Sequence, residues 1–274
     1  MVVRHLGQTD FEIIMECFLL SFENYFVTMP TDHNFYKRRW KSSGVRLDLS
    51  YGMFDENRLV GFIINSIDER DNHLIAYNSG TGVIPKYRGR RIVKTIYDHA
   101  IPELLKKGIS KCQLEVITEN TNAIKSYEGI GFIKCKNYAC YKGKVTSKTK
   151  SDYVLTKVAM QTLNLEVSPN QTYYSWDNQS ESLYRGDFDC FQILIDKKIK
   201  SYFVIDTKSG YLAQFEVLKD SPSNWNLLFS AIKSICTDIR INNIDNRLIT
   251  KIKAVESAGL KNTVNQYEME LFIK

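Results

Sequence analysis

Two stretches, Gly82-Val-Ile-Pro-Lys-Tyr-Arg-Gly-Arg-Arg-Ile-Val93 and Leu114-Glu-Val-Ile-Thr-Glu-Asn-Thr-Asn-Ala-Ile-Lys-Ser-Tyr-Glu-Gly-Ile-Gly-Phe132, decide how this chain is read. The first leaves a strand, turns through Pro85 and Gly89, and enters a helix whose apolar stripe is Ile92, Val93, Ile96, Tyr97, Ala100, Ile101, Leu104 and Leu105. A helix that starts this abruptly leaves its first amides unpaired, and those amides together with the positive end of the dipole favour an anion. Gly89 allows close approach to the backbone, and Arg88, Arg90 and Arg91 add charge. In the second stretch a strand ends near Ile117 and a short helix is stopped by Gly129 and Gly131. Helical spacing sets Asn120, Ala123 and Tyr127 along one face, so they can line one groove.

Outward from these stretches, 274 residues exceed one ordinary domain, so two units are expected. A composition of 43% hydrophobic and 25% charged residues, with 14 Gly and 5 Pro, excludes collagen, mucin and low-complexity disorder. No apolar run is long enough for a membrane helix and the first residues lack a signal peptide's apolar core, so a cytoplasmic protein without a membrane partner is expected. The six cysteines form no CxxC pair and the four histidines are scattered, so neither a disulfide framework nor a metal site is expected. Net charge is +6, and residues 1–145 hold most of the excess, 21 Lys+Arg against 16 Asp+Glu. Lys86, Arg88, Arg90, Arg91 and Lys94 crowd five cations into nine residues, which points to a small polyanion rather than to nucleic acid.

Periodicity predicts helices over 9–26, 34–42, 92–107 and 122–128, and strands over 49–54, 58–66, 74–83, 112–117 and 132–142. Pro102 should bend or weaken the long helix near Asp98. The polar run Gly143-Lys-Val-Thr-Ser-Lys-Thr-Lys-Ser-Asp152 reads as a connector. Beyond it strands over 191–195, 201–205, 211–218, 238–243 and 264–273 and helices over 224–236 and 248–258 repeat the order of the first half. The expected division is therefore 1–144, a linker 145–155, and 156–274.

Together the two stretches resemble the GNAT superfamily of acyl-CoA-dependent N-acetyltransferases. Its diphosphate-binding pattern, usually RGxGxG after a V-x-P strand end, is matched at Val83, Pro85, Arg88 and Gly89, while Arg91 and Val93 stand at positions where small residues are usual. Its second pattern, N-x-x-A-x-x-x-Y-E-x-x-G-F, is matched at Asn120, Ala123, Tyr127, Glu128, Gly131 and Phe132. The resemblance implies an α/β fold with a mixed sheet, the GNAT fold, with a second, degenerate GNAT-like copy in the C-terminal half. It implies acetyl-CoA as acyl donor, held by Val83, Ile84, Arg88, Gly89, Arg90, Arg91, Ile92, Val93, Asn120, Ala123 and Tyr127. It further implies direct attack by a primary amine, from a small molecule or a peptide, with Tyr127 protonating the departing thiolate. A base is less defined: Glu115 lies on the strand beside the groove, and Asp68 and Glu69 are weaker candidates. Aromatics at Phe22, Tyr25, Phe26, Phe35, Tyr36 and Trp40 either line an acceptor pocket or pack the core.

In the second half, Val255-Glu-Ser-Ala-Gly-Leu260 stands against Tyr127-Glu-Gly-Ile-Gly-Phe132, so a valine replaces the tyrosine. The turn Lys219-Asp-Ser-Pro-Ser-Asn-Trp225 has no glycine and one cation, a poor diphosphate site. Such a domain could cover the first domain's groove or form a homodimer surface. Two other classes compete with the enzyme: a CoA-responsive binding protein without turnover, suggested by Arg91 and Val93, and a nucleic-acid binder using the cations at 86–94.

Overall fold

The structure, a computed structural model, describes residues 1–70, 72–148 and 152–274. They form two compact units, residues 1–135 with 267–274, and residues 136–266. The chain runs β1 (Val2–His5), α1 (Phe11–Ser21), α2 (His33–Ser43), β2 (Tyr51–Asp55), β3 (Arg58–Arg70), β4 (His73–Val83), α3 (Ile92–Lys106), β5 (Lys111–Ile117), α4 (Thr121–Glu128) and β6 (Ile133–Lys144). It continues through β7 (Val154–Val158), α5 (Ser180–Arg185), β8 (Asp189–Ile195), β9 (Lys198–Asp206), β10 (Tyr211–Val217), α6 (Pro222–Ile235), β11 (Asp238–Asp245), α7 (Ile249–Ser257) and β12 (Lys261–Phe272). Among the described residues no helix is long and apolar enough to cross a membrane.

In the first unit the strands lie in the order β1-β2-β3-β4-β5, with the end of β12 beside β5. β4 and β5 are parallel and the strands before them antiparallel, as a crossover through α3 requires. Local chemistry fixes the helix ends. Asp32 accepts the Asn34 N–H at 2.9 Å to start α2, and Gly44 ends it in the left-handed region at φ 84°. α1 stops at Ser21, short of the expected 26, and Asn24 at φ 57° turns the chain away from a helical path. α3 passes through Pro102 and reaches Lys106. The core joins α1 and α2 residues such as Phe18, Tyr36 and Trp40 to Phe62, Ile63 and Ile64 of β3 and to Ile96, Ala100 and Leu104 of α3.

The second unit has the order β7-β8-β9-β10-β11-β6. β10 and β11 are the parallel pair here, flanking α6, so the first unit's succession of antiparallel strands, helix, parallel strand and helix recurs. β6 pairs antiparallel with β11 from Tyr138↔Asp245 to Lys144↔Asp238, and Ala139, Tyr141 and Val145 sink into this unit's core. Conversely, Met269 and Ile273 are buried in the first core, where the Ile273 N–H donates to Ser110 O at 3.0 Å. The compact units thus divide inside β6 and inside β12 rather than at the expected 1–144 and 156–274, because each core takes its last strand from the other half of the sequence. Of the expected linker 145–155, residues 149–151 lie outside the described residues.

Candidate active site

Parallel pairing of β4 with β5 runs from Ile75↔Lys111 to Asn78↔Leu114, and then the two strands part. The cause is visible on the other edge of β4. Ile64 pairs with Gly80 but Asn65 with Asn78, so Ser79 is an extra residue, a bulge that bends β4 away from β5 while it stays paired with β3. The result is a V whose arms are residues 79–83 and 115–117.

At the end of one arm a single turn, Pro85–Tyr87, leads into α3. Gly89 lies at φ 75°, and a Cβ there would meet no atom within 4 Å, so its surroundings are open. Arg91 caps α3 in the left-handed region, φ 56° and ψ 22°, at the position where the family pattern usually has glycine. The backbone therefore has the shape that a glycine would give it, and an arginine adopts that shape at a cost of about 1 kcal/mol. The first bond of the helix is given by the Thr95 N–H to Arg91 O, 3.0 Å, which leaves the Ile92, Val93 and Lys94 amides ahead of the ladder. Ile84 and Ile92 are buried and Val83 and Val93 pack on the core, so at these four positions the backbone is what the turn offers a ligand.

The cations sort differently from their sequence grouping. Arg88 donates from Nε to Val83 O at 3.2 Å and from Nη2 to Ser21 O at 3.0 Å. It ties the end of α1 to the end of β4, so in this structure its guanidinium shapes the turn rather than facing an anion. Arg90 lies over the Tyr87 ring, 5.1 Å from its centroid, and Lys94 pairs with Asp98 at 2.8 Å.

α4 begins at the opposite arm. Asn120 caps it, accepting the Ala123 N–H at 3.2 Å, and its Nδ2 donates to the Tyr25 hydroxyl at 3.4 Å. Its amide group is thus engaged in positioning the helix, and the Ala123 N–H is engaged with it. Tyr127 is 7% exposed and packs edge-on to Phe132 with ring centroids 5.8 Å apart, and burial pushes its phenol up to about 12. On the facing arm, Asn78 Nδ2 donates to the Thr81 hydroxyl at 2.5 Å and to the Tyr97 hydroxyl at 2.7 Å. Asn78, Thr81 and Tyr97 stand beside this site and were not among its expected residues, whereas Tyr25 was among the aromatics expected to line an acceptor pocket or pack the core. Tyr97 is hidden there in the apolar stripe of α3, and Asn78 and Thr81 reach the site through the bulge, which has no sequence signature.

Glu115 is the first β5 residue beyond the last β4 pair, on the strand face opposite Leu114 and Val116, and it is half-buried. Asp68 and Glu69 pair with Ile75 and Leu74, at the far end of β4 from the V, so the structure removes them as candidates. Among the aromatics, Tyr36 and Trp40 are core, whereas Phe22, Tyr25 and Phe26 form a chain of edge contacts with centroids 5.0 and 5.2 Å apart. A cavity of about 700 Å³ lies elsewhere, between the β1–β2 edge and α3, lined by His5, Asp48, Tyr51, His99 and Glu103. Among the described residues no three His, Cys, Asp or Glu side chains group as a metal site.

The corresponding divergence in the second unit is built otherwise. Tyr211↔Arg240 is the registered pair of β10 and β11, and past it residues 170–178 enter between the strands. The Tyr174 hydroxyl donates to Phe215 O at 3.0 Å and accepts the Phe215 N–H at 3.2 Å, while Asn178 Nδ2 donates to Asn242 O at 3.1 Å. Lys251, which stands where the first unit has Ala123, extends Nζ to Glu216 at 2.6 Å and to the Tyr174 hydroxyl at 2.7 Å, all three side chains buried. Val255, in the place of Tyr127, is fully buried.

A parallel strand pair joined through a helix, with the strands parting beyond their last registered pair, defines a class, the GNAT fold, present here in tandem, the glycine turn into the helix belonging to the first unit alone. Residues 11–132 match the model of the acetyltransferase (GNAT) family, and that part of the chain is a GNAT domain. Over 83 residues, 30% of this chain and 47% of the relative, it is 32% identical to N-alpha-acetyltransferase 30 of Saccharomyces cerevisiae. Over 93 residues, 34% of this chain and 49% of the relative, it is 28% identical to N-alpha-acetyltransferase MAK3 of Arabidopsis thaliana. The chain spans about half the length of these curated relatives. A tandem GNAT protein from the clavulanic acid biosynthesis pathway matches the whole chain in fold, with a TM-score of 0.73 at 12% identity over 100% of this chain and 98% of that one.

Proposed function

We propose that the first unit transfers an acetyl group from acetyl-CoA to a primary amine, and that the amine is the N-terminus of a peptide. The observation that carries this reading is Tyr127, buried and held protonated on the helix that follows one arm of the V, in a unit whose other arm leads to the open amides of α3. The turn fits a diphosphate: Gly89 has open space beside it, and Arg91 takes the left-handed conformation that turns the Ile92, Val93 and Lys94 amides outward. Acetyl-CoA, when bound, supplies an activated thioester carbonyl. The chain's own groups do the rest. Backbone amides at 92–94 and the charge of Arg91 hold the diphosphate. Arms 79–83 and 115–117 keep backbone groups unpaired with each other for the rest of the coenzyme. Glu115 takes the proton of the attacking amine, directly or through water, and the Tyr127 hydroxyl gives its proton to the departing sulfur.

The peptide N-terminus is favoured by the two N-alpha-acetyltransferase relatives and by amine chemistry. At pH 7 an α-amine near 8 is offset from its neutral form by about 1.4 kcal/mol and a lysine side chain by about 4.6. The test measures thiol release from acetyl-CoA with a peptide bearing a free N-terminus and no lysine, beside its N-acetylated twin. Release with the first and none with the second is expected. Calorimetric binding of acetyl-CoA without release would instead make the unit a CoA-responsive binding protein, and binding of neither coenzyme nor peptide would end the reading.

A further inference from the structure

The end of β4 reads Asn78-Ser-Gly-Thr-Gly82, a run with two glycines and no apolar side chain. Register in a strand is ordinarily fixed by alternation of apolar and polar side chains, and a glycine-rich run without it is weakly specified. A slip of one residue would reverse the faces of every group on the arm that parts from β5. Yet the extra residue lies at one place, Ser79, between the pairs Ile64↔Gly80 and Asn65↔Asn78. Polar side chains supply what the apolar pattern lacks.

Toward α2, three hydroxyls meet. Ser66 of β3 donates from Oγ to Oγ of Ser43, the last residue of α2, at 2.9 Å. Ser79 Oγ lies 2.6 Å from Ser66 Oγ and 3.0 Å from Ser43 Oγ. A hydroxyl has one proton, so with the Ser66 proton on Ser43 the bond between Ser79 and Ser66 is given by Ser79. Ser43 and Ser66 are buried, so water does not compete for these bonds. The anchors are themselves tied together: the Arg46 N–H donates to Asn65 O at 2.9 Å and the Ile67 N–H to Gly44 O at 3.1 Å. A Cβ on Gly80 would lie 3.1 Å from Phe18, whose ring packs on Tyr36 and Trp40 of α2. Ser79 and Gly80, though consecutive, therefore face the same layer, which breaks the alternation of a regular strand. Toward α3, Asn78 Oδ1 accepts the Gly80 N–H at 2.9 Å, closing a turn over Ser79, and Asn78 Nδ2 donates to the Tyr97 hydroxyl at 2.7 Å.

We propose that Ser43, Ser66 and Ser79 are positioning residues for the coenzyme: their three hydroxyls lock the extra residue of β4 in place and so hold the V parted before a ligand enters it. The proposal rests on the reading of that V as the acetyl-CoA site. With the lock open, the bulge can move along Ser79-Gly-Thr-Gly82 or be lost, and the backbone groups of 79–83 no longer present one fixed face to the coenzyme.

The experiment compares the full wild-type chain with Ser66→Ala, Ser79→Ala, the double alanine variant and Ser79→Thr, measuring hydrogen exchange across 79–83, calorimetric affinity for acetyl-CoA, and Tm. Each alanine variant is expected to exchange 79–83 about tenfold faster, with β2 and α3 unchanged, and to bind acetyl-CoA about fivefold more weakly well below its Tm. Ser79→Thr, which keeps the hydroxyl, should stay within about twofold of wild type, and the double variant should match the weaker single one, because both substitutions break one unit. Exchange and affinity at wild-type levels in both alanine variants, losses that multiply in the double variant, a threonine variant as loose as the alanine one, or faster exchange spread evenly over the first unit would overturn the lock. A wild type that binds no acetyl-CoA while the alanine variants still loosen 79–83 removes the coenzyme reading and leaves the lock; a wild type that binds it, with variants that match it, removes the lock alone.

Discussion

Burial raises the Tyr127 phenol to about 12, above its usual 10, because ionising it would place a charge where water does not reach. The direction matters for catalysis. A group with a raised value keeps its proton across the whole neutral range and well into alkali, so Tyr127 is in its donating form at every pH at which the protein is ordinarily assayed. The acceptor amine has the opposite requirement, since it must lose a proton to attack. With a lysine-free peptide, kcat/KM should therefore rise with pH toward a plateau near 8 to 8.5, the range of an α-amine, and show no fall up to pH 10. A profile still climbing at pH 10 would indicate a lysine-like acceptor, and a fall near 9 would mean that some other acid donates the proton. Tyr127→Phe should lower kcat by about 100-fold while leaving calorimetric affinity for acetyl-CoA unchanged. Equal turnover in the phenylalanine variant would take Tyr127 out of the mechanism.

The turn between β4 and α3 shows how an element can keep a family's backbone while changing its residues. Gly89 and Arg91 both have positive φ, 75° and 56°, but only one of them is a glycine. Gly89→Ala would add a methyl group with open space around it, so the cost is backbone strain of about 1 kcal/mol, visible as a fall of a few degrees in Tm. The same methyl lies where a diphosphate must approach, so CoA affinity should fall more than stability does, by about tenfold. Arg91→Gly trades strain relieved against chain entropy gained by the unfolded state, two effects of about 1 kcal/mol that nearly cancel. Its Tm should stay close to wild type while CoA binds more weakly, and tighter binding instead would deny the Arg91 charge any part in holding phosphate. The position of this turn was legible in the sequence because proline, glycine and the start of an apolar helical stripe are local signals. The work of Arg88 was not. Its guanidinium reaches Ser21 O, 67 residues away in sequence, and no local pattern encodes so distant a carbonyl. Spacing set Asn120 on one face with Ala123 and Tyr127 ahead of a helix expected from 122, but it did not show that the Asn120 side chain caps that helix.

At the scale of the whole molecule, repetition of strand and helix order was readable, while exchange of the last strands was not. Periodicity identifies β6 and β12 as strands but carries no information on which neighbour each one pairs with, because pairing depends on contacts more than a hundred residues apart in the sequence. Likewise nothing in the polar, irregular stretch before α5 foretold that Tyr174 would bond to the backbone of Phe215 between β10 and β11. With that cleft taken by the chain itself and by Lys251 and Glu216, calorimetry should find one CoA site per chain, and two equal sites would show that residues 170–178 give way. Strand exchange yields a sharper expectation. A fragment ending at residue 144 contains every motif residue of the transferase site, yet it lacks Met269 and Ile273, both buried in the first core, and the Glu270 partner of the buried Lys111. Losing the burial of even two such side chains costs about 3 to 6 kcal/mol, a large share of the roughly 5 to 15 kcal/mol that stabilises a domain. Deleting residues 267–274 from the full chain should therefore abolish cooperative melting of the first unit and acetyl-CoA binding together. A truncated chain that still binds acetyl-CoA with wild-type affinity would show that the first unit closes its sheet without β12.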